Sequence, residues 1–461
     1  MADSRRPIAG GPPSDPGASD DGYITAREAA RILDVKLPTL YAYVSRGLVR
    51  SLPASESRRR RYAREDVVRL RARADARRGH GAVAAGALRW GEPVLDSAIT
   101  EILADGHRYR GHRAADLARE HCFEDVAELL WRSRPVVGEP SDTGERGCDP
   151  VTLPWRASAD EETVRAVRSC LPDRAAAFDV LSLVVGLWSA RHRPPRTDQP
   201  AATNAADRAE LVEATRLMVT MAHALGEASE LSVQGDSMAE CLLAALTNRP
   251  GALRDPAIRR WQRRTIDGVL VLMADHELNA SSFAARVAAS VGATLPACVS
   301  AGLATVSGAR HGGACDRIEA FVGAHRSAAM VERAVTERLA AGASVTGFGH
   351  PLYPAGDPRA RVLLAWAEDA RQNGWSGAHS ATRMAKGGRA LIAAMAANER
   401  EPPTCDVGLV VLCATLGLRS GSASALFALA RTAGFIAHAL EQRESGFQVR
   451  PRARYIGPRE P

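Results

Sequence analysis

Three histidines and one aspartate stand where apolar helical patterns break, and these side chains can hold or move a proton near neutral pH. His276 closes VLMADHELNAS, and His311 opens HGGA after LPACVSAGLATVSG. His350 follows the Gly-Phe-Gly of GFGHPLYPAGDPRA, and Asp406 opens DVGLVVLCATLG after Pro402 and Pro403. Helix ends leave backbone N–H and C=O groups unpaired, and a ligand can reach them there. Arg359 stands nine residues beyond His350 across three prolines, and Arg431 lies within FALARTAG.

Each of these residues also has a plainer structural role. A lone histidine beside a glycine is ordinarily a loop residue. Asp406 alone is most economically an N-cap, since aspartate is favoured there in any helix. Arg431 alone could be the polar edge of an amphipathic helix. Three histidines could hold a metal, but none forms an HxxxH or HxH pair that would set two imidazoles on one side. The eight cysteines are scattered with no CxxC pair. No metal, structural zinc or disulfide is therefore expected.

The elements that must position these groups are overwhelmingly helical. Helical apolar spacing runs through RAADLAREHCFEDVAELLW, RAELVEATRLMVTMAHALGE, TIDGVLVLMADHE, RVLLAWAEDARQ and SASALFALARTAGFIAHALEQ. Strand alternation is nearly absent apart from EPVLDSAITEIL, and stretches 134–154 and 190–206 are expected to be loops. The body, residues 92–461, is expected to be all-α with a smaller lobe over roughly 280–400.

Ahead of the body lies a different module. Residues 1–21 are rich in Pro, Gly, Ser and Asp and are expected to be a disordered tail. From residue 22, Thr25 with Glu28 has capping-box spacing, and the turn DVKL leads to Pro38 at the start of PTLYAYVSRG. LVRS…RRRRYAR then suits a two-stranded wing, and REDVVRLRARAD a third helix. Residues 22–78 thus resemble the winged helix-turn-helix of the MerR and excisionase groups, with 79–91 a linker.

Charge singles out the same module. The chain carries 60 basic and 53 acidic residues, net +7. Twelve arginines against four acids over 45–78 give that stretch +8, so the remainder sums to about −1. Duplex DNA is the partner this implies, with Arg58, Arg59, Arg60 and Arg61 of the wing gripping phosphates. No signal segment is evident at the N-terminus, and runs such as GVLVLMA are too short to cross a bilayer. A cytoplasmic protein with no membrane partner is expected.

Taken in order, HELNAS, HGGA, GFGH…DPRA, PPTCD, RTAGFIAH and RPR resemble the motif series of citrate synthase over roughly residues 92–460. The resemblance implies a two-lobed helical fold and condensation of oxaloacetate with acetyl-CoA or propionyl-CoA, followed by hydrolysis to citrate or 2-methylcitrate. It implies no cofactor beyond the acyl-CoA co-substrate. It further implies that His350 polarises the ketone of oxaloacetate, that Arg359, Arg431 and His276 bind that substrate, and that His311 stabilises the enol of the thioester. Asp406 would remove the proton, and Gly347 and Gly349 would let backbone approach the CoA adenine. Arg450 would reach a neighbouring subunit's site, making the protein a homodimer or larger.

Some positions depart from the family's pattern. Thr404-Cys405 stand where Asn-Val is common before the aspartate, Val407 where Phe is common, Pro351 where Arg often follows GFGH, and GAR where GPL often precedes HGGA. Two other functions stay open on the same residues: an acyl-CoA or dicarboxylate sensor reporting to DNA, and cleavage of citryl-CoA.

Overall fold

The computed structural model describes residues 23–33, 35–45, 48–53, 60–64, 66–68, 70, 95–131, 153–172, 175–192, 204–226, 237–247, 255–373, 379–451 and 457. The expected tail and linker, Arg58 and Arg59, and most of the two expected loops fall outside them. The chain forms two compact units, Met1–Asp96 and Ser97–Pro461.

In the first unit, strand β1 (Tyr23–Thr25) leads into α1 (Ala26–Leu33) and α2 (Leu37–Ser45), followed by β2 (Ser51–Pro53) and β3 (Arg60–Ala63). The capping box forms as the sequence predicts. The Thr25 backbone N–H donates to Glu28 Oε2 at 2.9 Å, and the Glu28 N–H returns to Thr25 Oγ1 at 3.3 Å. Strands β2 and β3 pair antiparallel as the wing, and β1 adds to the far side of β3, a third strand that so short a segment did not signal. Ala29, Leu33, Leu40, Val49, Tyr62 and Val67 make the core of this unit. Asp66 clamps the wing by accepting both the Arg50 backbone N–H and its guanidinium.

The second unit opens with a small antiparallel sheet, β4 (Thr100–Leu103), β5 (Gly106–Tyr109) and β6 (His112–Arg113). Fifteen helices follow among the described residues: α3 (Ala114–Glu120), α4 (Phe123–Trp131), α5 (Glu161–Cys170), α6 (Ala177–Arg191), α7 (Asn204–Ala224), α8 (Met238–Leu246), α9 (Pro256–Met273), α10 (Ala280–Ser290), α11 (Leu295–Val306), α12 (Ala314–Gly323), α13 (Ala328–Ala340), α14 (Pro358–Gln372), α15 (His379–Ala397), α16 (Cys405–Leu416) and α17 (Ser422–Ser445). The helical spacing through RAADLAREHCFEDVAELLW is carried by two helices, α3 and α4, broken at His121–Cys122.

Helix α17 is the axis of this unit, packed by α4, α6, α9, α10 and α11. It is long and apolar enough to span a membrane, yet nearly all of it is buried inside the protein, which marks a core helix. Its close approach to the end of α9 depends on Gly434. The Gly434 N–H donates to the Ala274 carbonyl at 3.1 Å, and a Cβ there would lie 2.5 Å from Asp275 Oδ1. Helices α12 to α16 pack largely on one another. The candidate residues stand where the two helix groups meet.

Candidate active site

His276 follows α9 on a turn held from below by its neighbour. Buried Asp275 accepts from Thr100 Oγ1 at 2.5 Å and from the Glu277 N–H at 3.1 Å, and its Oδ1 lies 3.3 Å from His438 Nε2. Arg286 donates to the other side of that imidazole, to Nδ1 at 3.0 Å. Burial opposes the charge on Asp275, but His438 and the hydrogen bonds outweigh it and hold the carboxylate down at about 2. The His276 ring is buried, with Nε2 3.0 Å from Tyr353 Oη. Its centroid is 5.5 Å from those of both His350 and His107.

His350 is placed by a short strand-like contact. Phe348 bridges Pro403, the Gly349 N–H donates to the Pro402 carbonyl at 3.0 Å, and the Thr404 N–H donates to the Gly347 carbonyl at 2.8 Å. Only glycine suits Gly347. Its φ is +94°, and an added Cβ would sit 2.6 Å from Val407 Cγ2. The Leu352 N–H donates to His350 Nδ1 at 3.2 Å. Burial, then the Arg359 charge, push this imidazole down to about 4. His350 is therefore neutral at pH 7, with its hydrogen on Nε2, free to donate.

Arg359 sits in the first turn of α14, where Asp357 is the N-cap and Pro358 follows. Arg359 and Asp357 form a buried bidentate pair, Nε to Oδ1 at 3.0 Å and Nη2 to Oδ2 at 2.9 Å. Burial alone would raise Asp357; Arg359 outweighs it and keeps the carboxyl at about 2. The pair leaves Nη1 and one Nη2 hydrogen for a ligand. Arg431 is in a different state. It lies in mid-α17, 1% exposed and over the Phe427 ring at 5.0 Å, with Nε and Nη1 buried and unpaired. It is not the polar edge of an amphipathic helix. A buried guanidinium left so is costly unless an anion completes it.

His311 stands between α11 and α12. Its Nε2 is 2.9 Å from Ser281 Oγ and 3.3 Å from Asn279 Oδ1, and burial first, then Arg431, lower it to about 4. Asp406 is not the N-cap of α16. Thr404 holds that position, and Asp406 falls in the first turn. Its Oδ2 accepts from Thr404 Oγ1 at 2.8 Å, and Cys315 Sγ lies 3.6 Å from Oδ1. Burial raises its pKa, although the residue as a whole is only half-buried. A base of raised pKa, two neutral imidazoles and two buried arginines can remove a proton beside an anionic electrophile.

The profile described as "Citrate synthase, C-terminal domain" matches residues 87–452, about four-fifths of the chain. The chain belongs to the citrate synthase family. A "Helix-turn-helix domain" profile matches residues 23–75. The citrate synthase of Haloferax volcanii is 28% identical over 382 residues, covering 79% of this chain and 93% of that protein. The 2-methylcitrate synthase of Shewanella oneidensis is 25% identical over 374 residues, covering 80% and 92%. Among solved structures, the citrate synthase of Thermoplasma acidophilum, in ternary complex with carboxymethyl coenzyme A and oxaloacetate, superposes with a TM-score of 0.63 at 24% identity. That match covers 80% of this chain and 95% of the other.

The body thus has the citrate synthase fold, and its reaction is citrate synthase-type condensation of an acyl-CoA with oxaloacetate, an acyl transfer. Citrate synthases need no metal or prosthetic group, the acyl-CoA being a co-substrate. Of the predicted site residues, the structure gathers His276, His350, Arg359 and Arg431 around one centre, with His311 and Asp406 beside them. It does not bring Arg450 there: this side chain is exposed, beyond the C-cap of α17 at Gly446. Arg60 and Arg61 lie on β3 of the other unit.

Asn279, Ser281, Tyr353 and Asp357 also line these contacts, although their places within the motifs assign them no role. The DP preceding Arg359 is a legible N-cap signal, and N-A-S after His276 is another. The Asp275–His438 contact spans the fold and left no local signal.

Proposed function

We propose that this citrate synthase-type body joins acetyl-CoA or propionyl-CoA to oxaloacetate, with Asp406 as base and His311 and His350 as hydrogen-bond donors. The observation that carries the assignment is Arg431, a fully buried guanidinium with two nitrogens unpaired. A small dicarboxylate supplies what it lacks, one carboxylate on Arg431 and the other on the free edge of Arg359. The oxaloacetate held by the Thermoplasma acidophilum relative supports this choice.

Asp406 takes a proton from the carbon beside the thioester carbonyl, and that C–H pair becomes the enol double bond. His311 donates to the developing oxygen charge. His350 Nε2–H polarises the ketone, the enol carbon attacks it, and the new alkoxide takes up a proton. Water then cleaves the thioester, releasing CoA. The Shewanella oneidensis relative supports propionyl-CoA as an alternative to acetyl-CoA.

The protein acts in the cytoplasm as a homodimer or larger assembly, with Arg450 completing a neighbour's site. Its N-terminal unit binds duplex DNA, α2 in the major groove and the β2–β3 wing, with Arg60 and Arg61, on phosphates. Salt-sensitive retardation of duplex DNA by the full chain, weakened by replacing Arg60 and Arg61 with Ala, supports that role; no retardation at low salt overturns it.

The first experiment is CoA thiol release with oxaloacetate and each acyl-CoA. Release by the wild type that falls roughly 1,000-fold or more in Asp406→Asn supports the assignment. No release from folded protein overturns it.

A further inference from the structure

Thr404 occupies the N-cap of α16, where a threonine oxygen ordinarily accepts a backbone N–H of the first turn. Here the side chain makes no capping bond. Its hydroxyl turns to the Asp406 carboxylate instead, reaching Oδ2 at 2.8 Å. The backbone of Thr404 is itself fixed, its N–H on the Gly347 carbonyl at 2.8 Å, so the hydroxyl is aimed from a held position. On the other flank, the fully buried Cys315 in α12 puts its sulfur 3.6 Å from Asp406 Oδ1. Both residues donate to the carboxylate, and they are unequal donors, a full O–H bond against a weak S–H contact.

We propose that Thr404 and Cys315 form a two-sided clamp that positions Asp406 and makes Oδ1 the oxygen that takes the substrate's proton. Thr404 occupies Oδ2 and fixes the carboxylate's rotation. Oδ1 faces the weak thiol donor and keeps a basic lone pair. Burial holds Cys315 protonated, so the thiol remains a donor and does not place a second anion beside the base. The clamp rests on the assignment of Asp406 as base and adds to it which atom reacts and what aims it.

The test uses the full-length protein with Thr404→Val, Thr404→Ser, Cys315→Ala and Asp406→Asn, following kcat and KM from about pH 5 to 9 with acetyl-CoA and its methyl-deuterated form. Thr404→Val keeps the side-chain volume and removes the donor. It is expected to lower kcat about tenfold with KM for oxaloacetate little changed. Its acid limb should move to higher pH, since the ionised carboxylate has lost a hydrogen bond. The deuterium effect on kcat should grow as proton removal becomes limiting, and Thr404→Ser should restore all three. Cys315→Ala should move the same readouts in the same direction by less.

If Thr404→Val does not fold, Thr404→Ala carries the same readouts. Wild-type kcat, acid limb and isotope effect in the hydroxyl-free variant, with Asp406→Asn inactive, overturn the clamp and leave the base standing. An active Asp406→Asn overturns the base assignment itself.

Discussion

Asp357 and Cys405, 48 residues apart in the chain, meet where Asp357 Oδ2 accepts the Cys405 backbone N–H at 2.9 Å. The same oxygen accepts Arg359 Nη2–H at 2.9 Å. One carboxylate thus fixes both an arginine that we assign to substrate and the start of the helix that carries Asp406. Asp357→Asn should loosen both together. Removing one partner of a buried pair costs about 3–5 kcal/mol, so a clear fall in Tm is expected. KM for oxaloacetate should rise while kcat drops, measured by steady-state kinetics beside thermal melting.

Arg431 should behave in the opposite way towards stability. Its unpaired guanidinium is a cost in the free protein, and Arg431→Met replaces it with an apolar side chain of similar length. The ligand-free variant should melt no lower than wild type, while KM for oxaloacetate rises at least about 100-fold for loss of a charged, buried contact. Oxaloacetate should raise the wild-type Tm and leave the variant's unmoved. A variant that melts well below wild type without ligand would show the guanidinium to be satisfied inside the protein.

The buried imidazoles make stability pH-dependent. Burial first, and Arg359 next, lower His107 to about 3 and His276 well below its ordinary value. In the unfolded chain both titrate near about 6.5. Below that pH the unfolded state binds protons that the folded state refuses. The stabilisation is therefore complete above about 6.5 and is lost as pH falls towards the folded values, at up to about 1.4 kcal/mol per pH unit for each histidine. Denaturant midpoints should fall steadily from pH 7 to 5. His107→Gln should flatten the slope by one proton's worth.

Arg450 offers a test of assembly. If it serves the neighbouring site, Arg450→Ala and Asp406→Asn are each nearly inactive alone, yet a refolded equimolar mixture regains activity. Random pairing gives half heterodimers with one intact site each, or about a quarter of wild-type turnover. An Arg450 acting in its own subunit gives no regain.

Much of this was legible along the chain because it is local. The Thr25–Glu28 box, the DP cap ahead of Arg359 and the apolar spacing of α9, α14, α16 and α17 are written within a few residues of where they act. Periodicity and capping depend on near neighbours, so one stretch suffices to read them. The order of HELNAS, HGGA, GFGH and RTAGFIAH likewise fixed the family before any contact was known.

What the sequence alone determined was therefore the family, the helices that carry the candidate groups and the separate basic module ahead of them. Only the tertiary structure decided their states. That Arg431 is buried and unpaired, that burial pushes the imidazoles of His276, His311 and His350 down, and that Cys315 stands beside Asp406 from 91 residues away all follow from burial and from partners distant in the chain. Those distances exceed what any local pattern records, because burial and charge pairing act through space and not along the backbone.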